Sequence, residues 1–261
     1  MRQAAAANAL SASVAKVAKM ERGLVPMRDP DIRALCHLYE EHDAQVIDRL
    51  LELAKADRDR RKAKGWWNQY PQLKSQVEHF ALEDIATEMR TWQLAYIPGL
   101  LQTAAYARAL AVDNAAQSSA EVTEAFVEAR MARQARLAGE RPLRLWATVH
   151  EGAVRQLVGG AEVMRQQLTK LLDAAELPHV GLRVIPYTAG AHPGMASTFT
   201  VVSFAEPGAL DVVQSDTIST MVWLENEADA ARHLAIFDRI AQRALTPNDS
   251  TRLIESICKE L

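Results

Sequence analysis

Residues 182–224 read LRVIPYTAGAHPGMASTFTVVSFAEPGALDVVQSDTISTMVWL, and this stretch decides the fold class. Four short runs within it are rich in β-branched and aromatic residues, and turn-forming residues separate them, which is the pattern of β-strands joined by turns. The pattern predicts strands over residues 182–186, 198–204, 210–214 and 220–224. Strands that follow one another this closely favour antiparallel pairing.

Helical patterns surround these strands. One more strand is predicted over residues 143–149, where apolar residues alternate with polar ones. Apolar residues at helical spacing predict the remaining elements of the region, which are helices over residues 80–94, 102–113, 119–138, 151–157, 161–176, 226–245 and 248–260. We therefore expect an α+β domain in which helices surround a mostly antiparallel sheet.

Residues 1–64 carry helical patterns and no strand pattern. A short basic helix is predicted over residues 13–22, with a serine cap (Ser11 or Ser13) before it and a glycine after it. Two more helices follow, and the second of them runs into a cluster of Lys and Arg side chains. We place the domain boundary at the break GWWNQYP in residues 65–71, so that a second domain covers residues 65–261.

Composition excludes several classes of protein. With 49% hydrophobic and 24% charged residues, the chain is neither disordered nor collagen-like. It has no uncharged apolar run of the roughly 18 residues that a membrane-spanning helix needs, and residues 1–18 lack the apolar core of a secretory signal. Cys36 and Cys258 have no partner spacing, so we expect two inert thiols in a reducing, cytoplasmic compartment.

Positive charge near the N-terminus marks a candidate DNA-binding set. Lys16, Lys19 and Arg22 fall in the predicted basic helix, where they could meet DNA phosphate. A second basic cluster lies over residues 55–64 and allows two interpretations. It could also contact phosphate, but the favoured explanation is that it complements the C-terminal end of its own helix.

Several short phrases occur together in a particular order. They are Gly65-Trp66-Trp67, Arg90-Thr91-Trp92, PGLLQT at residues 98–103, Tyr106-Ala107-Arg108, RMARQ at residues 130–134, Val158-Gly159-Gly160 with Met164 and Gln167-Leu168, GAHPGM at residues 190–195, Phe237-Asp238 and Leu245-Thr246-Pro247. In these phrases the chain resembles actinobacterial Xre-type helix-turn-helix regulators, antitoxin-like proteins that carry a long C-terminal domain of unassigned chemistry. The resemblance implies a DNA-binding domain followed by a domain that binds a small molecule.

The resemblance changes toward the N-terminus. Residues 11–23 are similar to the family's recognition helix, and residues 29–39 to the helix after it. The family has two helices before the recognition helix, whereas residues 1–10 are too few for both and show no helical pattern. A base-reading helix has to be held rigidly, so this truncated helix-turn-helix argues against DNA binding. Two interpretations stay open: an artefact in the choice of chain start, with a complete regulator in the cell, or loss of DNA binding.

The sequence contains no motif for a cofactor or a metal. Gly159-Gly160 is a lone pair rather than a dinucleotide fingerprint, and neither a phosphate-binding loop nor a serine-nucleophile elbow occurs. His37 and His42 are five residues apart in a helix and therefore lie on different faces, which does not suit a metal pair. We therefore expect no cofactor and no bound metal.

Titratable residues suited to proton transfer are the candidates for catalysis. They are Glu83, His150, Glu151, His192 and Asp216. His192 lies in a loop between strands, where function often resides, although a hydrogen bond within its own loop explains it equally well. His150 would titrate near neutral pH, and Glu151 opens a helix, where a carboxylate is favoured. The resemblance implies that His150, Gln214 and Asp216 replace other residue types, as either a changed ligand or neutral drift would produce.

Aromatic and polar residues of the second domain are candidates for lining a ligand cavity. They are Trp66, Trp67, Arg90, Trp92, Gln102, Tyr106, Tyr187, Met195, Phe199 and Gln214. Each aromatic residue taken alone also suits a core position. The pair Trp66-Trp67 is harder to explain in this way, because adjacent tryptophans in a loop cannot both point inward. One of them is therefore expected to cover the mouth of a cavity.

Three functions are compatible with these patterns. The favoured one is a catalyst that performs cofactor-free dehydration, conjugate addition or cyclisation on a polyketide- or peptide-type metabolite, a substrate class that only the resemblance suggests. The alternative is a metabolite-sensing helix-turn-helix transcriptional regulator. The third is an interaction module that docks a partner through Leu24, Val25 and Met27. No membrane partner is expected, and a homodimer is compatible with all three.

Overall fold

A computed structural model describes residues 3–21, 25–62, 65–113, 119–205, 209–217 and 221–261. The chain divides into two compact units, Met1–Gly65 and Trp66–Leu261. The described part of the first unit consists of helices α1 (Gln3–Ala9), α2 (Val14–Glu21), α3 (Asp29–Leu38) and α4 (Ala44–Lys62). None of the helices in the described ranges is both long and apolar enough to cross a membrane.

Helix α1 contradicts the interpretation that residues 1–10 carry no helical pattern. Its sequence is QAAAANA, and alanine has the highest intrinsic helix propensity. A run of alanines hides the usual alternation of large apolar and polar residues, because the same small side chain occupies the buried and the exposed face. Ala6 and Ala7 are nevertheless buried, so the helix packs through its smallest side chains.

A tight turn joins α1 to α2. Ser11 has a φ of 49°, in the left-handed region, and the N–H groups of Ser11 and Ala12 donate to the carbonyls of Asn8 and Ala7 at 3.1 and 2.9 Å. This pair of bonds is the Schellman arrangement that ends a helix. Ser13 then caps α2, because its hydroxyl accepts a hydrogen bond from the backbone N–H three residues on, which confirms one of the two predicted caps.

Helix α2 is supported by its neighbours in the first unit. Ala6 and Ala7 of α1 form a buried cluster with Val17 of α2, and Leu35 and Leu38 of α3 pack against the same cluster. The side of α2 that carries Val17 is therefore covered, and the helix has a defined orientation relative to α1 and α3.

One residue of the second basic cluster has a structural role. Arg58 of α4 donates to the Met27 carbonyl at 2.8 Å and forms a 2.7 Å ion pair with Asp29 at the start of α3. Asp31 in the first turn of α3 pairs with Arg28. These contacts fix the beginning of α3, so Arg58 is occupied within its own unit.

The second unit begins with two short 3₁₀ turns, Trp66–Gln69 and Pro71–Gln76. The elements that follow, in chain order, are α5 (Val77–Ile85), β1 (Glu88–Gln93), α6 (Ala104–Asp113), α7 (Ala120–Arg133), β2 (Arg144–His150), α8 (Glu151–Arg155), α9 (Ala161–Ala175), β3 (Val180–Ile185), β4 (Phe199–Ser203), β5 (Val212–Asp216), β6 (Met221–Leu224), α10 (Glu227–Arg243) and α11 (Pro247–Glu260).

The strands form one open mixed sheet in the order β3-β2-β1-β4-β5-β6. Strands β1, β2 and β3 run parallel to one another, whereas β1–β4, β4–β5 and β5–β6 are antiparallel. Helices occupy the two parallel crossovers, as such connections require. The predicted α+β class with a mostly antiparallel sheet is confirmed, since the antiparallel pairs outnumber the parallel ones.

Strand β1 corrects the helix predicted over residues 80–94. Helix α5 ends at Ile85, and residues 88–93 are a central strand paired on both sides. The sequence EMRTWQ contains Thr and Trp, which favour strands, but it is too short to separate helical from extended periodicity. Pairing with β2 and β4 decides the outcome, because tertiary context overrides weak local preference.

The two faces of the sheet carry separate cores. Leu145 and Leu182 lie on one face, packed with α9 and α11, and we call this the α9 face. Trp92 and Val201 lie on the other, packed with α10, and we call this the α10 face. Because successive strand residues point to opposite faces, neighbours in sequence contribute to different sites.

Candidate functional site

The predicted site residues fall into two polar clusters on opposite faces of the sheet. The histidine cluster, on the α10 face, consists of Trp92, His150, Tyr187 and His192. The arginine cluster, on the α9 face, consists of His79, Glu83, Gln102, Arg130, Arg133 and Gln214. The five candidate catalytic residues therefore do not form one site, since His150 and His192 are separated by the sheet from Glu83.

The histidine cluster lies where two parallel strands end. Strand β2 ends at His150, and β3 ends two residues before Tyr187. The carboxyl ends of parallel strands are the usual position of ligand sites in open sheets. The His150 ring centroid is 5.2 Å from that of Tyr187, in an edge contact, and 6.1 Å from that of His192, in a stacked contact. The Trp92 ring contacts the other side of His192 at 5.2 Å.

The two histidines use their ring nitrogens differently. Nδ1 of His150 accepts a 3.2 Å hydrogen bond from the Gly152 N–H and caps α8, so the ring proton of the neutral form is on Nε2. Nδ1 of His192 is buried and has no hydrogen-bond partner among the residues that the structure describes. Burial lowers the pKa of His192, and the neighbouring His150 lowers it further, so His192 is neutral at physiological pH.

A cleft opens beside His192. It has a volume of about 340 Å³ and is lined by Ala191, His192, Pro193, Arg239, Gln242 and Arg243. Among the described residues, the lining includes two guanidinium groups from the end of α10 and no carboxylate. Arg239 and Arg243 have no ion-pair or hydrogen-bond partner within the described ranges. The cleft is therefore electropositive at its α10 side.

The loop that carries His192 is held against the sheet. The indole N–H of Trp92 donates to the Gly194 carbonyl at 2.8 Å. A Cβ atom at Gly194 would come within 2.6 Å of the Trp92 ring and 2.8 Å of Ile240, so only glycine allows this approach. The loop position, and with it the position of His192, is set by this close contact.

Three of the predicted site residues lie near the histidine cluster but do not belong to it. Glu151 is buried, pairs with Arg155 at 2.6 Å and accepts a 2.8 Å hydrogen bond from the Tyr187 backbone N–H, so it positions the Tyr187 loop. Met195 is 63% exposed. Phe199 is buried in the core of the α10 face, with its ring against His233.

The centre of the arginine cluster is a buried ion pair. Arg133 donates two hydrogen bonds to Glu83, at 2.7 and 2.6 Å, and the two residues are 6% and 2% exposed. Burial alone would raise the pKa of Glu83, but the Arg133 guanidinium outweighs burial and keeps that pKa below its ordinary value. Glu83 is thus a permanently charged structural partner, which does not suit the predicted role in proton transfer.

His79 lies beside this pair, with Nε2 3.7 Å from a Glu83 oxygen. Burial lowers the pKa of His79 to about 3, and the Arg133 guanidinium lowers it too, so the ring is neutral above that pH. His79 was not among the predicted residues. Its sequence position, four residues before Glu83 on a helix, places the two on one face but does not reveal the arginine that pairs with Glu83.

The arginine cluster also braces the turn at residues 98–103. Arg130 donates to Gln102 Oε1 at 2.8 Å, and Gln102 in turn donates to the Ile97 carbonyl at 2.7 Å. Gln134 donates to the Gln102 carbonyl at 2.6 Å, and Gln167 to the Leu101 carbonyl at 2.7 Å. Several of the sequence phrases that carry the resemblance therefore converge on one turn.

Arg130 and Gln214 each retain one unpaired atom. Nε of Arg130 and Oε1 of Gln214 are buried, and neither has a hydrogen-bond partner in the described part of the chain. The Arg130 guanidinium lies 4.3 Å from the centre of the Phe126 ring, and burial lowers its pKa to about 9. Gln214 donates to Asp216 at 3.0 Å, so Asp216 extends toward this cluster rather than toward the histidines.

The remaining predicted residues are occupied within the fold. Trp66 packs edge-on against Trp67 at 5.8 Å and lies 5.1 Å from Phe80, so both tryptophans belong to one aromatic cluster, in which Trp67 is 4% exposed. Tyr106 is fully buried, and its hydroxyl accepts a hydrogen bond from the Ile97 N–H. Arg90 forms a 2.7 Å ion pair with Glu88 on its own strand.

Sequence reasoning missed the basic residues that line the cleft. Arg239 and Arg243 are four residues apart on α10, a spacing that puts them on one helix face. That pattern is also typical of a solvated face, so it indicates a site only once the His192 loop is placed beside it. Lys16 and Lys19 are exposed on α2, whereas Arg22 and Leu24 lie outside the described residues.

Within the described ranges, no group of three or more His, Cys, Asp or Glu side chains is arranged to hold a metal ion. Comparison of the chain with curated proteins and with solved structures gives no match. A family model described as "Domain of unknown function (DUF5753)" matches residues 76–256, a stretch that contains all six strands and both polar clusters. The match extends over more than half of the sequence, and the chain therefore belongs to the DUF5753 family.

Proposed function

We propose that the chain is a DNA-binding transcriptional regulator whose second unit binds a small molecule. The observation that carries the proposal is the support of α2: Ala6 and Ala7 of α1, and Leu35 and Leu38 of α3, pack around Val17. A base-reading helix needs such support to meet base edges. The four residues between α1 and α2 also match the short turn of a helix-turn-helix.

The exposed side of α2 has the chemistry that DNA binding requires. Val17 and Met20 are buried, whereas Val14, Lys16 and Lys19 are exposed. Lysines on the exposed face of a supported helix can neutralise phosphates while the first turn approaches base edges. This arrangement agrees with the resemblance of residues 11–23 to a recognition helix, and α1 supplies one of the two supporting helices on whose absence the argument against DNA binding was based.

The second unit is proposed as the sensor. Its cleft beside His192 lies at the carboxyl ends of parallel strands, the usual position of a small-molecule site. The resemblance suggests a natural-product metabolite as the ligand, and the two cysteines without a partner spacing suggest a cytoplasmic location. A homodimer is part of the proposal, because helix-turn-helix proteins commonly read two half-sites with two subunits.

Salt-dependent DNA binding tests the proposal. The full chain is titrated onto duplex DNA from its own promoter, and fluorescence anisotropy is measured over a range of salt concentrations. The double variant Lys16→Ala/Lys19→Ala should bind more weakly, with a log–log salt slope lower by about 1.8 if both lysines meet phosphates. The matched control Arg232→Ala/Lys259→Ala removes two exposed charges from the second unit. Absence of DNA binding, or an equal loss in the control, would overturn the proposal.

A second function, cofactor-free acid–base catalysis, is favoured by one observation. The His150 and His192 rings stack at 6.1 Å beside a cleft, so a proton donor and a proton acceptor are close together. Such a pair suits dehydration, conjugate addition or cyclisation of a metabolite. The regulator accounts for both units, whereas the catalyst accounts for one.

Conversion of a metabolite separates the two functions. Compounds from the biosynthetic pathway encoded beside the gene are incubated with the chain, and products are followed by mass spectrometry. His150→Asn retains a capping side chain for α8 while removing the imidazole, so it isolates proton transfer from stability. Turnover lowered about 10²- to 10⁴-fold in His150→Asn and His192→Phe, with unchanged Tm, would support catalysis. Unaltered turnover in both variants, or no turnover by the wild type, would exclude it.

A further inference from the structure

We propose that the cleft beside His192 binds the carboxylate or phosphate group of a small molecule, held by the guanidinium groups of Arg239 and Arg243 and by the ring of His192. This inference deepens the proposed function by naming the chemical class of the ligand. The inference depends on the proposed function in one respect, which is that the second unit is the part that binds the small molecule.

The charge of the cleft is the first argument. Arg239 and Arg243 lie one helical turn apart on α10, and the lining contains no carboxylate to balance them. Arg133 on the α9 face differs, because its guanidinium is buried and fully paired with Glu83. Two adjacent guanidiniums repel each other, and a bound anion relieves that repulsion through charge-assisted hydrogen bonds.

The position of the His192 ring is the second argument. His192 lines the cleft while its Nδ1 is buried, which leaves Nε2 as the nitrogen that a ligand can reach. The neutral ring offers Nε2 as a donor in one tautomer, and a nearby anion also favours the protonated ring. The charged and titratable groups around His192 are His150 across the ring stack and the two arginines across the cleft.

The rigidity of both walls is the third argument. On one wall, the Gly194 backbone packs too close to the Trp92 ring for a side chain to fit, and its carbonyl accepts the Trp92 indole N–H, so the loop is fixed. On the other, Arg183 of β3 donates to the Ala241 carbonyl at 3.2 Å and ties the last turn of α10 to the sheet. That bond satisfies one of the carbonyls at the C-terminal end of α10, where the helix dipole is negative. The loop and the helix backbone that border the cleft are thus held in place before a ligand arrives, and the exposed Arg239 and Arg243 side chains complete the site.

The size of the cleft limits the ligand. A volume of about 340 Å³ is at the small end of the range for small-molecule sites. It accommodates one acidic group and a short carbon framework, and the exposed Met195 and Tyr187 on neighbouring loop positions are available for apolar contact.

Anion titration of the full chain tests the inference. Sodium phosphate and sodium succinate are titrated separately at constant ionic strength set with chloride, and the ring resonances of His192 are followed by NMR. We expect saturable shifts at His192, and whichever probe binds more tightly identifies the ligand as a phosphate or a carboxylate. The double variant Arg239→Met/Arg243→Met should weaken binding by roughly tenfold or more, since hydrogen bonds to charged groups are removed.

Arg232→Met is the matched control, because it removes an exposed arginine from the same helix but does not line the cleft. It should bind both probes like the wild type. An equal loss in the control, shifts that never saturate, or no shift at His192 with either probe would each overturn the inference. DNA binding that depends on Lys16 and Lys19 is measured separately, so failure of the anion site and failure of the regulator proposal are distinguishable.

Discussion

The arginine cluster and the histidine cluster are built on one sheet but treat their polar groups in opposite ways. On the α9 face, Arg133 is bound to Glu83 through two short hydrogen bonds, and the whole pair is buried. On the α10 face, His192 has a buried nitrogen without a partner, next to a cleft lined by Arg239 and Arg243. A satisfied buried pair fixes a fold, whereas unpaired groups at an open edge are available to a ligand.

The largest expected effect is loss of the buried ion pair. Glu83→Gln leaves the buried Arg133 without a counter-charge, so the free energy of unfolding of the second unit should fall by about 3–5 kcal/mol. Urea unfolding followed by tryptophan fluorescence measures it. The control is Glu124→Gln, which breaks an exposed, solvent-screened pair with Arg108 and should leave the free energy of unfolding nearly unchanged. Similar losses in both variants would show that the buried pair stabilises the second unit no more than an exposed pair does.

The second effect is the pH dependence that His79 produces. Its pKa is lowered from 6.5 to about 3 on folding. Between these pH values the unfolded chain binds a proton at His79 that the folded chain does not bind. Stability contributed by the neutral ring is present above pH 6.5 and is lost as the pH falls toward 3. The slope from this one group is about 1.4 kcal/mol per pH unit.

His79→Phe removes this titration and keeps an aromatic ring in place. Urea unfolding of the wild type and the variant between pH 4.5 and 7 should therefore show a shallower acid loss in the variant. The difference in free energy of unfolding between the wild type and the variant should therefore shift against the wild type as the pH falls. Parallel curves for the two proteins would mean that His79 is not buried as described.

The third effect compares glycines in the two clusters. Gly194→Ala would place a Cβ 2.6 Å from the Trp92 ring, and overpacking of this kind costs about 1–3 kcal/mol. Gly99→Ala, beside Arg130 and Arg133, would place its Cβ at 3.4 Å, an ordinary contact. Thermal unfolding should therefore show a clearly larger loss of stability for Gly194→Ala. A larger loss for Gly99→Ala would mean that the backbone is packed more tightly against side chains at Gly99 than at Gly194.

The fourth effect separates capping from chemistry at His150. His150→Ala removes the acceptor for the Gly152 N–H and should cost about 1 kcal/mol, whereas His150→Asn retains a capping oxygen and should cost less. Chemical unfolding of both variants measures the difference. Equal costs would show that the hydrogen bond to the ring does not stabilise α8.

The sequence allowed much of the fold to be predicted, because most elements have clear apolar periodicity. The exceptions are instructive. Residues 88–93 form a strand because two neighbouring strands pair with them. The sequence of these six residues alone does not predict that pairing. Helix α1 was not predicted, because alanine occupies both its buried and its exposed face and leaves no apolar–polar periodicity. In each case the deciding interaction lies outside the segment itself.

The candidate site was predictable in its residue types but not in its grouping. His150 and His192 are both recognisable as candidates, and the register of β2 beside β3 brings their loops together. Glu83 was equally plausible until Arg133, fifty residues away along the chain, occupied its carboxylate. A sequence shows which groups can titrate, whereas only the sheet order shows which face each of them reaches.

The smallest effect is the pH dependence of His192, and it sharpens the comparison most directly. Burial lowers the pKa of His192 as it does that of His79, so its contribution is likewise present above pH 6.5 and lost as the pH falls. His192 is only partly buried, and water screens it, so His192→Phe should flatten the acid limb of the stability curve less than His79→Phe does. Saturating phosphate or succinate should reverse the sign for His192 alone, because a bound anion favours its protonated ring. Urea unfolding with and without the anion measures this, and an identical response of both histidines would contradict the assignment of the open cluster to ligand binding.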